Sequence, residues 1–124
     1  MEGNEGTKRL LSANERADLV KMLTTATFPG VRELLQQVQA AAVAGGIPTL
    51  LDLTVEAGPR SGATDGPIPG RWVVEGSAGD LEGELLIWVK DGFLDGLEFA
   101  WLTDEPPAEF PPPERVRKLP EDEA

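Results

Sequence analysis

Between Glu84 and Leu102 the chain carries two runs of alternating apolar residues on either side of Asp91-Gly92. A two-residue Asp-Gly loop suits a type I′ turn, whose central residues both need positive φ, so the pattern predicts a β-hairpin. Pairing outward from the turn sets Lys90 against Phe93 and Val89 against Leu94. Carried further without interruption, the register would oppose Ile87 to Gly96 and scatter the apolar face. One extra residue at Asp95-Gly96 restores it: Ile87 then meets Leu97, Leu85 meets Phe99, and Trp101 follows on the same side. A bulge is therefore expected there, with Gly96 in the left-handed conformation that some bulges require. A glycine kept small for a ligand is the sharper alternative, but no neighbouring residue supports it.

The other face of this hairpin is expected to carry Leu86, Trp88, Phe93, Ala100 and Leu102 beside Glu84, Lys90 and Glu98. A solvated sheet face is mostly polar, so this one should be covered. The C-terminal segment of the same chain is the first candidate cover; a partner or a second copy is the other.

Upstream, Ser12-Ala-Asn-Glu15 fits a capping box, predicting a helix that runs to about Thr25 with Ala17, Leu19, Val20 and Leu23 inward and Glu15, Arg16, Asp18 and Lys21 outward. Phe28-Pro29-Gly30 breaks it. A second helix is expected from Pro29, carrying Val31, Leu34, Leu35, Val38 and Ala42, with Gln36, Gln37 and Gln39 exposed and Gly45-Gly46 as its end. Leu50 to Glu56 alternates as a half-buried strand, with Leu51, Leu53 and Val55 opposite Asp52, Thr54 and Glu56. Residues 58–70 are too rich in Gly and Pro for regular structure, and Arg71 to Glu75 is a short strand with Trp72 and Val74 on one side. From Thr103 the chain turns proline-rich and extended, with Phe110 and Leu119 as anchors of a strap.

At 124 residues one domain is expected, burying roughly two-thirds of its unfolded surface. The division is a flexible N-terminus (1–9), one α+β domain (10–119, with a proline-rich strap at 103–119) and an acidic disordered end (120–124). The fold predicted is α+β, with two N-terminal helices packed on a four-stranded, mainly antiparallel sheet and a proline-rich C-terminal tail crossing an edge or the other face.

Composition narrows the chemistry. There is no Cys and no His, which removes disulfides, thiolate metal sites and the familiar histidine-based catalytic arrangements. No phosphate-binding glycine loop and no EF-hand spacing occurs. Asp52 with Glu56, Glu84 with Glu98, and Asp104 with Glu105 are the carboxylate pairs available for a hydrolase or a magnesium site, but solvated sheet acids are the commoner case. Trp72, Trp88 and Trp101 are read as packing residues, Trp101 in the core. No catalytic, metal or cofactor residue is assigned and no cofactor is expected.

Net charge is −11, and unevenly spread: residues 1–75 hold nine acids and seven bases, residues 76–124 thirteen acids and four bases. Nucleic acid and anionic membranes would repel the second half, whereas a basic protein would be attracted. Neither a signal peptide nor an apolar run of membrane-spanning length is present, so a cytoplasmic protein is expected.

The run from Lys90 to Pro111, with its Asp-Gly turn, Trp101 and acidic-proline segment, resembles a family of small uncharacterised actinobacterial proteins, in which a helix also opens with Phe-Pro-Gly as Phe28-Pro29-Gly30 does here. Some members carry a cysteine-rich patch before the first strand; Gly45 to Thr49 here has none, so no metal or redox role carries over. The resemblance implies an α+β fold and no established activity. The function expected is a non-enzymatic acidic protein-binding module, immunity-like or regulatory, that engages a basic protein through Leu86, Trp88, Phe93, Glu98, Asp104 and Glu105. A homo-oligomeric accessory protein (a homodimer on the same face) is the alternative, and a carboxylate-based hydrolase ranks last.

Overall fold

A computed structural model describes residues 8–121. The expectations for residues 1–7 and 122–124 lie outside the described residues; Lys8 Nζ donates to Glu56 at 2.9 Å.

The elements run β1 (Arg9–Leu10), α1 (Ala13–Thr25), α2 (Val31–Gln37), a 3-10 turn (Val38–Ala40), β2 (Ala41–Ile47), β3 (Leu50–Val55), β4 (Gly66–Pro67), β5 (Trp72–Glu75), β6 (Leu81–Lys90), β7 (Phe93–Trp101), a 3-10 turn (Pro113–Arg115) and β8 (Val116–Lys118). The fold is α+β, but the sheet has eight strands and not four. Seven follow the order β1-β2-β3-β7-β6-β5-β8, and β4 joins β6 beyond β5. Every pairing is antiparallel.

Helix α1 starts as its sequence dictates. The Glu15 amide donates to Ser12 Oγ at 3.1 Å and the Ser12 amide to Glu15 Oε1 at 2.8 Å, closing the capping box. The inward stripe differs from expectation: Glu15, Asp18, Leu19, Met22 and Leu23 are buried, whereas Val20 is 38% exposed. The stripe is rotated because α1 is covered on two sides, by the sheet and by the proline-rich strap. Asn14 Nδ2 donates to the Phe110 carbonyl at 3.1 Å and Lys21 Nζ to the Pro113 carbonyl at 2.7 Å.

The second helix is shorter than predicted. It ends at Gln37, and Ala41 to Ile47 is a strand; Gly45 and Gly46 lie within it and cap nothing. The Ala-Ala-Val-Ala run favours helix locally, but β2 pairs with β1 on one side and β3 on the other, and this pairing overrides propensity. Gly46 has φ +100°, and a Cβ there would collide with the Leu50 carbonyl across the β2–β3 turn.

The central hairpin follows the predicted register. Asp91 and Gly92 have φ +53° and +84°, as a type I′ turn needs. Val89 opposes Leu94, Trp88 opposes Gly96, Ile87 opposes Leu97 and Leu85 opposes Phe99, leaving Asp95 as the extra residue. One detail is corrected: Gly96 is not among the positive-φ residues. A Cβ there would lie 3.3 Å from the Leu51 carbonyl, a tight approach, and at an ordinary contact distance of 3.5 Å from Trp88 Cβ.

One face of the sheet forms the core with the helices. Leu51, Leu53, Trp72, Val74, Leu85, Ile87, Leu97 and Phe99 pack there with Leu19, Met22, Leu23, Leu34 and Val38. Phe110 anchors the strap on this same face, its ring centroid 6.0 Å from that of Phe99. The strap then becomes β8 at the edge of β5, where Lys118 Nζ sits 5.7 Å from the Trp72 ring. The expectation that the tail covers the outer face is therefore overturned. Phe110 takes the larger gain available, since beside α1 both sides of its ring are buried. Trp101 is likewise not a core residue; it is 37% exposed at the end of β7, opposite Gly83 and past the reach of the helices.

Gln37, expected outside, is fully buried. Its Nε2 donates to the Pro59 carbonyl at 2.7 Å and the Gly92 carbonyl at 2.9 Å, while its Oε1 accepts from the Leu94 amide at 2.9 Å. The side chain thereby serves the edge of β7 where β3, paired with β7 only from Leu50 to Asp52, has parted from it. Alongside it, Ser61 Oγ donates to the Gly30 carbonyl at 2.7 Å, tying the 58–65 loop to the start of α2.

Candidate functional site

Because successive side chains of a strand point to opposite sides, the residues between the core positions define the outer face. In one row Ile47 opposes Leu50, Leu50 opposes Glu98, and Glu98 opposes Leu86. The next row runs Gly45, Asp52, Gly96, Trp88 and Pro67. A third joins Ala100, Glu84, Val73 and Arg117. Both helices and Phe110 pack on the opposite side. Ile47, Leu50 and Leu102 are accordingly 59%, 39% and 65% exposed, and Leu86, Trp88 and Phe93 are half-buried.

Charged side chains frame this apolar centre. Trp88 Nε1 donates to Glu98 Oε1 at 3.0 Å, satisfying the indole N–H and tying the carboxylate to the neighbouring row. Arg71 pairs with Glu84, and Arg117 Nη2 lies 3.0 Å from Glu75 Oε2. The Arg117 hydrogen bond and charge hold Glu75 below the usual carboxylate range. Val73 is buried on this outer side, outside the core cluster, between Glu84 and Arg117 in register. The stems of such long side chains can shield it while their heads stay in water.

Of the residues expected to bind a partner, the structure gathers Leu86, Trp88 and Glu98. Phe93 shares their face but lies by the turn, opposite Lys90. Asp104 and Glu105 do not join them: they are exposed past the end of β7, in a turn where Thr103 Oγ1 donates to the Glu105 carbonyl at 2.7 Å. Ile47, Leu50 and Val73 belong to the face and were missed. Leu50 had a signal, since period two places it with Asp52 and Thr54, whereas Ile47 was hidden by the helical reading of its segment.

The Glu84 and Glu98 carboxylates singled out in the sequence have partners of their own. Glu84 is engaged by Arg71 and Glu98 by Trp88, and among the described residues no three acids come together as a metal site would require. A cleft of about 470 Å³ beside β1 and β2 includes Arg9, Glu15, Gly45, Gly46 and Ile47. Of its three charged side chains, Arg9 and Glu15 are spent on each other through two 2.9 Å hydrogen bonds, and Glu109 is the third. Burial works to raise the Glu15 carboxyl, but Arg9 and the Ser12 amide outweigh it and hold it low. Among the described residues, no helix is long and apolar enough to cross a membrane.

No protein-family model matches this chain, and no curated protein or solved structure is significantly similar to it.

Proposed function

We propose that this chain is a non-enzymatic, acidic protein-binding module that docks a basic protein onto the outer face of its sheet. The observation that carries this reading is the apolar centre formed by exposed Leu50 and half-buried Leu86 and Trp88, on the face opposite the one where the strap packs. Apolar residues gathered on one exposed face favour a macromolecular contact over a small ligand, for which the face offers no enclosure. Charge selects the kind of partner. A second copy brings another −11 to the contact, whereas a basic surface is drawn to an acidic chain.

The test combines assembly state with salt dependence. The unmodified protein is expected to sediment as a monomer at high concentration and to bind a basic protein isolated on it with an affinity that falls as salt rises. Trp88→Ser should fold and stay monomeric while losing that binding. Dimerisation that Trp88→Ser abolishes would instead favour the homo-oligomeric reading of the same face.

A further inference from the structure

Helical spacing places Asp18 between Asn14 and Lys21, the two residues of α1 that hydrogen-bond to the Phe110 and Pro113 carbonyls of the strap. Asp18 is fully buried and neither carboxylate oxygen has a hydrogen-bond partner. The strap cannot supply donors from Pro111, Pro112 or Pro113, because proline has no backbone N–H. An ionised carboxylate in this position would be desolvated and unpartnered, a costly combination. The charged groups that act on it are Lys21 and Glu15 from its own helix and Glu114 from the strap. Lys21 favours ionisation but spends its ammonium on the Pro113 carbonyl, and the two glutamates oppose it. Of the other cations on α1 and β8, Arg16 is turned to the Val38 carbonyl at 3.2 Å and Lys118 to the Thr25 carbonyl at 2.9 Å.

We propose that Asp18 is a pH-sensitive latch beneath the C-terminal strap: with the carboxyl neutral the strap lies closed over α1, and its ionisation loosens the strap. Burial pushes the Asp18 carboxyl up to about 7 from an ordinary value of 3.8; in the open form, with water admitted, it returns toward that ordinary value. The sign follows from proton binding. Below the ordinary value both forms are protonated and pH has no effect. Between it and about 7 the closed form holds a proton that the open form has lost, so opening becomes easier by up to tenfold per pH unit; above about 7 both are ionised and the effect levels off. Lifting the strap removes Phe110 from Phe99 and β8 from β5, freeing the backbone edge of Trp72 to Val74. An unpaired strand edge is itself a surface that accepts an added strand.

Amide hydrogen exchange on the full chain tests this, with protection factors corrected for intrinsic rates between pH 4 and 8. The amides of β8 and of Leu119, which donates to the Arg71 carbonyl, should be less protected than those of Ile87 and Leu97, and insensitive to low denaturant, as a local opening requires. Their protection should fall as pH rises to about 7 and then flatten, and the slope should vanish in Asp18→Asn. The proposal is overturned if strap amides exchange only by global unfolding, if the wild-type slope is absent, or if it persists in the variant. Should Asp18→Asn not fold, carbon-detected titration of the Asp18 carboxyl in the wild type decides: an elevated midpoint matching the strap's exchange profile supports the latch, and an ordinary carboxylate midpoint refutes it.

Discussion

The two faces of the β6–β7 hairpin are nearly alike in apolar content and opposite in fate. Ile87 is fully buried and Trp88, the next residue, is half-buried; Leu85 lies under the helices while Leu86 opposes Glu98 on a face no helix covers. An apolar side chain in a strand therefore reports that something should cover it, but not what. On the core face the cover is α1, α2 and Phe110. On the other, Arg71, Glu84, Glu75 and Arg117 form pairs toward one edge, and no helix lies over Leu86 and Trp88.

The largest effect expected on stability comes from the covered face. Ile87→Ala should cost roughly 2–5 kcal/mol by chemical denaturation, since it empties volume enclosed on all sides. Gln37→Ala comes next, at roughly 2–4 kcal/mol, because it leaves the buried Leu94 amide and the Pro59 carbonyl without their partner, while the Gly92 carbonyl keeps the Ser61 amide. If it matches an ordinary surface substitution, the side chain is not holding the hairpin. Gly96→Val should cost about 1–3 kcal/mol by crowding the Leu51 carbonyl and Trp88, whereas Asp95→Asn in the bulge should change stability by less than about 0.5 kcal/mol. Equal losses at the two positions would remove the close-approach explanation for Gly96. Trp88→Ser should have the smallest effect on the isolated monomer, about 1 kcal/mol or less, while acting strongly on binding. A loss as large as that of Ile87→Ala would mean the two faces are not energetically distinct.

What was legible in the sequence was what local rules decide. The capping box at Ser12, the type I′ turn at Asp91-Gly92 and the one-residue bulge all depend on residues close in the chain, and all three are present. The failures share a cause. Ala41 to Ile47 is a strand because β1, far upstream, and β3, across the Pro48-Thr49 turn, both pair with it, Gln37 is inside because a distant hairpin needs its amide, and Asp18 is inside because the strap returns to cover α1. The two-residue strands β1 and β4 carry no periodicity at all. Of the candidate site, Leu86, Trp88 and Glu98 were visible from hairpin register alone, and Ile47 and Leu50 join them only once β2 and β3 are in place.

The three hydrogen bonds of Gln37 bear on how quickly anything could dock. They fasten the turn end of the hairpin to α2 and to the 58–65 loop, so the strand pair that displays Trp88 is clamped near its free end as well as along β3. If the face docks a partner as proposed, that partner meets a surface held in place beforehand and association costs little conformational entropy. Substitutions at Leu50, Leu86 or Trp88 should then leave the association rate close to its electrostatically steered value and act on how long the complex lasts. Gln37→Ala would do the reverse: with its clamp released, the hairpin would have to be ordered during each encounter, and slower association would be the sign.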